Sequence, residues 1–375
     1  MDSRQTTCAI FLDLAKAFDT VSHDILLQKL EAYGIRGTCL KLFESYLKNR
    51  YQFVKLENAK SIISLIEFGV PQGSILGPLL FLLYINDLPK ATSLFIKLYA
   101  DDTFLSAQNE NVKLLESEIN QELEKVYNWM CSNRLTLNIS KSKSMIITKK
   151  RNVEPISIKI NNTELEQCNS YKYLGVIFDK DLNWKNHVDY VCSKISRSIG
   201  GLASLRHRTS ISVLREVYYA LVNSYVQYGI LIWGNASQAN LQPLNVLLNK
   251  AVRIITFAPF GPLDLEPIYR DLELLNLEQT ILLERGKFMF KRKNNLLPTT
   301  IANFFATENR PVSRYSLRRR QDNRLCFRSN LEVGKKSIQN VGELLWSELP
   351  PYLKDLESLK MFKKYYKSHL IGPDQ

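Results

Sequence analysis

The sequence lacks the features of a secreted, metal-stapled or membrane-spanning protein. It has six cysteines, at positions 8, 39, 131, 168, 192 and 326, and no Cys-x-x-Cys pair among them. The four histidines, at 23, 187, 207 and 369, do not fall into a zinc spacing with these cysteines. A disulfide scaffold and a zinc finger are thereby excluded. The cysteines read as free thiols of a reducing compartment, most of them in the core. Nothing at the N-terminus resembles a signal peptide. The longest apolar stretch, Tyr218 to Trp233, is interrupted by Asn223, Ser224 and Gln227, so it reads as a packed helix and not a membrane span. No internal repeat, low-complexity tract or lysine-rich nuclear address stands out. The expected placement is intracellular, in nucleus or cytoplasm, with no membrane partner.

What the chain does have is size, apolar content and positive charge. Its 375 residues suffice for two or three domains, and 45% hydrophobic content can bury a core. The formal net charge is +13. Residues 1–150 are nearly neutral, and residues 151–375 carry most of the excess. A neutral part followed by a basic part suits a protein that tracks a nucleic-acid backbone. Arg314, Arg318, Arg319, Arg320, Arg324 and Arg328 cluster in the basic part, as a nucleic-acid contact or as a solvated linker.

Two carboxylates stand side by side in Tyr99-Ala100-Asp101-Asp102, between the apolar runs Leu94–Leu98 and Thr103–Leu105. This reads as a β-hairpin with an acidic bend. Two like charges there repel, and one is driven toward neutrality unless a cation sits nearby. A third acid, Asp13, ends the apolar strand Cys8-Ala9-Ile10-Phe11-Leu12. If the hairpin pairs beside that strand, Asp13 and Asp101 converge. Hard oxygen ligands suit Mg²⁺, which keeps several waters and takes other ligands from substrate phosphates. Two such ions would hold the attacking and leaving oxygens of an in-line phosphoryl transfer. Asp13 and Asp101 take the bridging roles. Asp102 is set apart, because successive side chains on a strand point to opposite faces.

Between these acids lies Phe68-Gly69-Val70-Pro71-Gln72-Gly73-Ser74-Ile75-Leu76-Gly77-Pro78. Gly69 and Gly73 permit backbone shapes other residues resist, and Pro71 stiffens the segment. Pro78 fits the first position of a helix whose apolar surface comes from Leu79, Leu80, Leu82, Leu83 and Ile85. A glycine-bearing loop entering a helix can bring backbone N–H groups close to phosphate.

Together these blocks resemble the reverse transcriptases of non-LTR retrotransposons, of the jockey or CR1 kind. The residues that carry the resemblance are Phe11–Asp19, then Gly69–Ser74, then Tyr99–Asp102, which look like palm motifs A, B and C in the family's order. Leu135–Lys143 looks like motif D, and Tyr171–Val176 like motif E, the primer grip. Leu182-Asn183-Trp184 and Ile232-Trp233-Gly234 look like thumb markers, and Leu345–Pro350 resembles the C-terminal part of such reading frames.

The resemblance implies an α+β fold: a right-hand polymerase palm, an antiparallel sheet backed by helices, followed by a helical thumb. It implies a palm over residues 1–178, a thumb over 179–300 and a basic C-terminal helical segment over 301–375. The implied partners are an RNA template, a DNA primer and a dNTP, with two Mg²⁺ ions (Mn²⁺ as the alternative) bound by Asp13, Asp101 and Asp102. Phe18 matches the aromatic sugar gate, whose ring leaves no room for a 2′-hydroxyl. Gln72 and Gly73 match nucleotide contacts, and Lys141 matches the motif D lysine near the phosphates. Tyr173, Leu174 and Gly175 would brace the primer 3′ end.

Only seven residues precede the first expected strand, so the family's fingers and N-terminal endonuclease have no counterpart here. The expectation is a truncated copy, the 3′-proximal part of a longer reading frame. A non-catalytic nucleic-acid-binding remnant is the alternative function. An RNA-dependent RNA polymerase of the same architecture is disfavoured by Phe18 and by Ala100 in the acidic motif.

Periodicity supplies the remaining elements. Two helices separated by Gly34 and Gly37 are expected over residues 24–47, and strand-like segments over 51–70. Val112, Leu115, Ile119, Leu123, Val126 and Met130 mark an amphipathic helix packed on the back of the sheet. Ser144–Thr148 returns as a strand, and Ile156, Ile158 and Ile160 lead into a hairpin through Asn161-Asn162. From about Asp181 the pattern turns helical. Val188, Val191, Ile195 and Ile199 share a face; Val213, Val217, Leu221 and Tyr225 another; Leu244, Leu247, Leu248 and Ile255 a third. Val341 to Leu370 is helical with a break at Pro350-Pro351.

Overall fold

The computed structural model describes residues 5–150, 154–259, 261–306 and 332–372. The arginine cluster at 314–328 and Cys326 lie outside the described residues. The chain forms two compact units, one ending at Tyr173 and one beginning at Leu174.

The first unit is built on a five-stranded sheet. Its strand order is Glu166–Gln167, Lys143–Ile147, Thr6–Leu12, Asp102–Asn109, Phe95–Tyr99. The pairings are antiparallel except at the Glu166–Gln167 edge, which runs parallel to its neighbour. Thr6–Leu12 is central and buried nearly throughout, as its unbroken apolar run predicts. Its alternation sorts side chains by face. Cys8, Ile10 and Leu12 join the helix-backed core, while Phe11 meets aromatic rings on the other side.

Helix Val112–Ser132 covers the sheet, capped by Asn111, whose side chain accepts from the Lys113 and Leu114 amides. Its buried stripe of Leu115, Ile119, Leu123, Val126 and Met130 is the one the periodicity marks. Each such side chain contributes about 2 kcal/mol as an upper estimate. Helices His23–Ala32 and Thr38–Leu47 appear on either side of Gly34 and Gly37. The Asn161-Asn162 hairpin forms with both asparagines at positive φ, the geometry of a tight two-residue turn.

Residues 51–65 form only two-residue strands, Tyr51–Gln52 with Ser64–Leu65 and Lys55–Leu56 with Ala59–Lys60. They leave Phe53, Val54, Leu56, Ile62 and Ile63 exposed, and Ile75 farther on is 95% exposed. The helix after the glycine loop starts at Leu76, ahead of Pro78. Proline is tolerated there because first-turn amides lack intrahelical partners anyway.

The second unit is mainly helical. Helices Lys185–Leu205, Ile211–Tyr218 and Gln238–Thr256 pack around a core that includes Val188, Leu214, Val222, Trp233, Leu244 and Leu248. A smaller cluster joins Leu283 and Phe290 of helix Leu277–Lys293 to Phe362 and Tyr366 of helix Leu359–Ile371. Val341–Leu370 breaks near Pro350-Pro351 as expected.

Three expectations fail here. The Val213, Leu221 and Tyr225 stripe is exposed, and the core takes Leu214, Tyr218, Val222 and Val226 instead. Both stripes are apolar and offset by one residue, so hydrophobicity alone does not choose between them. The stretch Tyr218 to Trp233 is not one helix: a π-helical turn spans Tyr219–Asn223, and Gly229, at φ 65°, separates Ser224–Gln227 from Ile230–Trp233. The cysteines are mostly not core: Cys8 is buried, Cys168 and Cys192 are half-buried, and Cys39 and Cys131 are exposed. Among the described residues no helix is long and apolar enough to cross a membrane.

Candidate active site

The acidic hairpin pairs with the central strand. Tyr99 faces Asp102 across a two-residue bend in which Ala100 takes φ 53°. The pairing of Thr6–Leu12 with Asp102–Asn109 ends at Leu12 opposite Thr103. One further step in that register sets Asp13 opposite Asp102, with Asp101 beside it at the bend. All three acids are half-buried. The Asp102 carboxyl is raised above the ordinary carboxylate range, first by burial, then by the charges of Asp101 and Asp13.

Asp13 is anchored through its backbone. Its N–H donates to Ser142 Oγ at 3.1 Å, and its C=O accepts from Asn138 N–H at 2.8 Å. Ser142 Oγ in turn donates to the Asn138 C=O at 2.8 Å. Ala15 N–H donates to Thr136 O, and Leu14 bridges to Leu137. The segment 136–142 thus extends the sheet beyond the strand end and fixes where the Asp13 side chain leaves the backbone.

Phe11 and Phe104 are register partners and lie two residues from Asp13 and Asp102, on the same strands and therefore the same face. Tyr171 stacks on Phe11 at 4.3 Å, and Tyr173 lies 5.5 Å from Phe11 and 5.8 Å from Phe104. The Tyr173 phenol is pushed up to about 12 by burial, then by the Asp102 charge and Tyr171. Tyr171 is raised by burial and by Asp102 and Asp13. A low-dielectric aromatic floor therefore adjoins the carboxylates, and it strengthens the interaction of any cation bound to them.

The glycine loop is fastened to the turn that follows Asp13. Val70 N–H donates to Phe18 O and Gly69 N–H to Val21 O, each at 2.8 Å. Gly69 has φ 91°, and a Cβ there would stand 3.0 Å from Asp19 Cα, so the close approach requires glycine. Buried His23 bonds Gly69 O at 2.8 Å through Nε2. The Gln72 amide donates to Asp19 Oδ1 at 2.7 Å. Phe18 is half-buried, its ring 4.6 Å from that of buried Phe81. Gly73 is exposed at φ 77°.

Comparison with known proteins gives these residues a family. Residues 1–178 match the family described as "Reverse transcriptase (RNA-dependent DNA polymerase)". Residues 1–178 belong to the reverse transcriptase family. The chain is 29% identical to the probable RNA-directed DNA polymerase from transposon X-element of Drosophila melanogaster, over 90% of this chain and 37% of that protein. It is 30% identical to the corresponding protein of transposon BS, over 75% of this chain and 32% of that one. The polymerase from mobile element jockey is 26% identical, over 82% and 34%. The chain thus spans about a third of the length of these non-LTR retrotransposon relatives. Apo telomerase from Candida tropicalis aligns over 71% of this chain and 50% of that one, at 11% identity and a TM-score of 0.36, too low to carry weight.

Reverse transcriptases generally use divalent metal ions, and carboxylates are the hard oxygen ligands such ions take. Among the described residues no group of three or more His, Cys, Asp or Glu side chains is placed so that it could hold a metal ion.

The remaining sequence-predicted residues lie as follows. Lys141 is exposed, its backbone N–H bonded to Asn138 O at 3.2 Å, which places it next to the Asp13 anchor. Leu174 and Gly175 form a left-handed turn at φ 45° and 81°. The Tyr228 hydroxyl donates to Leu174 O at 2.6 Å, and a Cβ on Gly175 would stand 3.0 Å from the Tyr228 ring. Ser142, Asn138, Asp19, His23, Tyr171 and Tyr228 had no role in the sequence reading. For Ser142, Asn138, Asp19 and Tyr171 a signal was available, since they lie inside the motifs that carry the resemblance.

Proposed function

We propose that the chain carries the polymerase part of a non-LTR retrotransposon: it extends a DNA primer on an RNA template with dNTPs. The reading assigns the palm to residues 1–178, the thumb to 179–300 and a basic helical segment to 301–375. One observation carries it: Asp13 falls in register with Asp102 beside Asp101, and the Asp102 carboxyl feels both charges.

Asp13, Asp101 and Asp102 would hold two Mg²⁺ ions. Bound there, the ions supply activation of the primer 3′-hydroxyl and neutralisation of the leaving pyrophosphate. The chain's own part is positioning and exclusion. The Ser142–Asn138 bonds hold Asp13, and the Phe11, Phe104, Tyr171 and Tyr173 rings keep water from one side of the carboxylates. Phe18, backed by Phe81, presents a rigid edge to the sugar, and Gln72 with Gly73 meets the incoming nucleotide. Lys141 reaches its phosphates, and Tyr173, Leu174 and Gly175 brace the primer terminus.

The test is primer extension on an RNA template with Mg²⁺. Wild type should extend the primer, and Asp101→Ala should lose about a thousandfold or more in rate. If wild type and Asp101→Ala are equally inactive while both bind RNA in a salt-sensitive way, the chain is a binding remnant and the polymerase reading fails.

A further inference from the structure

Helix Gln238–Thr256 carries a stripe that the hydrophobic pattern does not explain. Gln238, Gln242, Asn245, Asn249 and Arg253 recur every three or four residues and share one face. That face does not simply meet bulk solvent. It lines a cavity of about 570 Å³ within the second unit, with Ile281 and Arg285 of helix Leu277–Lys293 also in its wall. The volume is that of small-molecule sites.

Of the polar groups in its wall, Asn249 is already engaged, its Oδ1 accepting the Tyr269 hydroxyl at 3.0 Å, whereas among the described residues Asn245 is not. Arg285 makes a single long contact, its Nη2 donating to Gly234 O at 3.4 Å, and no carboxylate pairs with it among the described residues. Burial alone holds its guanidinium below the usual range. Arg253, also in the wall, donates through Nη2 to Gly261 O at 2.8 Å. Asp264, Glu266 and Glu278 line the same cavity but are exposed residues, and neither arginine forms an ion pair with them.

A half-buried guanidinium with no counterion, Arg285, calls for an anion, Arg253 stands in the same wall, and phosphate matches the guanidinium fork. The amides narrow the class further. Asparagine and glutamine offer a donor and an acceptor side by side, the complement of a nucleobase edge, and Leu241, Leu265 and Ile281 supply an apolar wall for its flat face. We infer that this cavity binds one nucleotide, with its phosphate on Arg253 and Arg285 and its base edge on the Asn245–Asn249 stripe. The ligand is a free nucleoside monophosphate or one unit of a single strand. The lining lies wholly within the second unit.

The experiment titrates the full chain with the four nucleoside monophosphates, an eight-nucleotide RNA, inorganic phosphate and hexaglutamate, by calorimetry. Arg285→Gln and Arg253→Gln should each weaken monophosphate binding about tenfold or more. Asn245→Leu should erase the preference among bases without lowering the unfolding temperature, and it keeps the test open if an arginine variant does not fold. Binding is read without primer or Mg²⁺, and no extension is needed, so failure of the polymerase reading leaves this result untouched. An RNA affinity that falls with Arg285→Gln by the same factor marks a strand unit; an RNA affinity indifferent to it marks a free nucleotide. The inference is overturned if no monophosphate binds, if phosphate or hexaglutamate binds equally well, or if folded Arg285→Gln binds as wild type.

Discussion

Ser142 Oγ accepts the Asp13 N–H at 3.1 Å and donates its own O–H to the Asn138 carbonyl at 2.8 Å, which ties an acid near the start of the chain to a loop about 130 residues later. Ser142 is fully buried, so its hydroxyl has no water to replace these partners. Ser142→Ala leaves a buried amide unpaired at a cost of about 1–2 kcal/mol. Primer-extension turnover should fall about tenfold while the nucleotide KM changes little, since a displaced carboxylate costs positioning. Ser142→Thr should restore it. Unchanged turnover in a folded alanine variant refutes the positioning role.

Burial, and then the charges of Asp101 and Asp13, raise the Asp102 carboxyl. Its pKa is raised on folding, so the charge opposes folding at neutral pH, and the opposition is relieved as pH falls through the raised value. Asp102→Asn should therefore raise the unfolding temperature by about 2 °C while abolishing extension. Mg²⁺ should stabilise wild type more than the variant in calorimetry. A lower unfolding temperature in Asp102→Asn would contradict this.

Glu122 shows the opposite sign. Its carboxylate accepts from Lys125 Nζ at 2.5 Å, Ser93 N–H at 2.7 Å and Thr92 Oγ1 at 2.8 Å, which lowers its pKa to about 2. A depressed carboxylate stabilises the fold above the unfolded value of 4.5, and that contribution is lost as pH falls toward about 2. Glu122→Gln should destabilise the chain by about 1–2 kcal/mol at pH 7. The difference from wild type should vanish in acid, as read by denaturant melts across pH.

The Leu174-Gly175 turn depends on Tyr228. Gly175→Ala meets both a positive φ and a ring at 3.0 Å, and should cost about 2 kcal/mol. Tyr228→Phe removes only the bond to Leu174 O and should cost about 1 kcal/mol. Thermal melts that rank the two variants in the other order would show that the hydroxyl, and not the glycine, sets the turn.

Phe18→Ala tests the sugar gate. Loss of its packing on Phe81 should cost about 2–3 kcal/mol for a half-buried ring. Incorporation of ribonucleotides relative to deoxyribonucleotides should rise at least tenfold. An unchanged ratio leaves Phe18 as core packing alone.

The sheet and its acids were legible because local signals agreed: an apolar run for the central strand, alternation around the acidic bend, and asparagines at the turn. The helix Val112–Ser132 was equally plain, since only one of its faces is apolar. Helix Ile211–Tyr218 was not, because two adjacent stripes compete and tertiary packing chose the second. The anchors of the site were hidden for another reason. Ser142 to Asp13, Gln72 to Asp19 and Tyr228 to Leu174 are long-range bonds between polar residues, and periodicity carries no information about them.

The short paired strands at 51–65 leave Phe53, Val54, Leu56, Ile62 and Ile63 standing in solvent. At the bench this means stickiness: such a surface adsorbs to plastic and column resin, and it binds its own kind as concentration rises. A preparation should elute earlier from gel filtration when loaded at higher concentration and later when a mild detergent is added. Replacing Ile62 and Ile63 by lysine should make the chain easier to handle without touching the carboxylates.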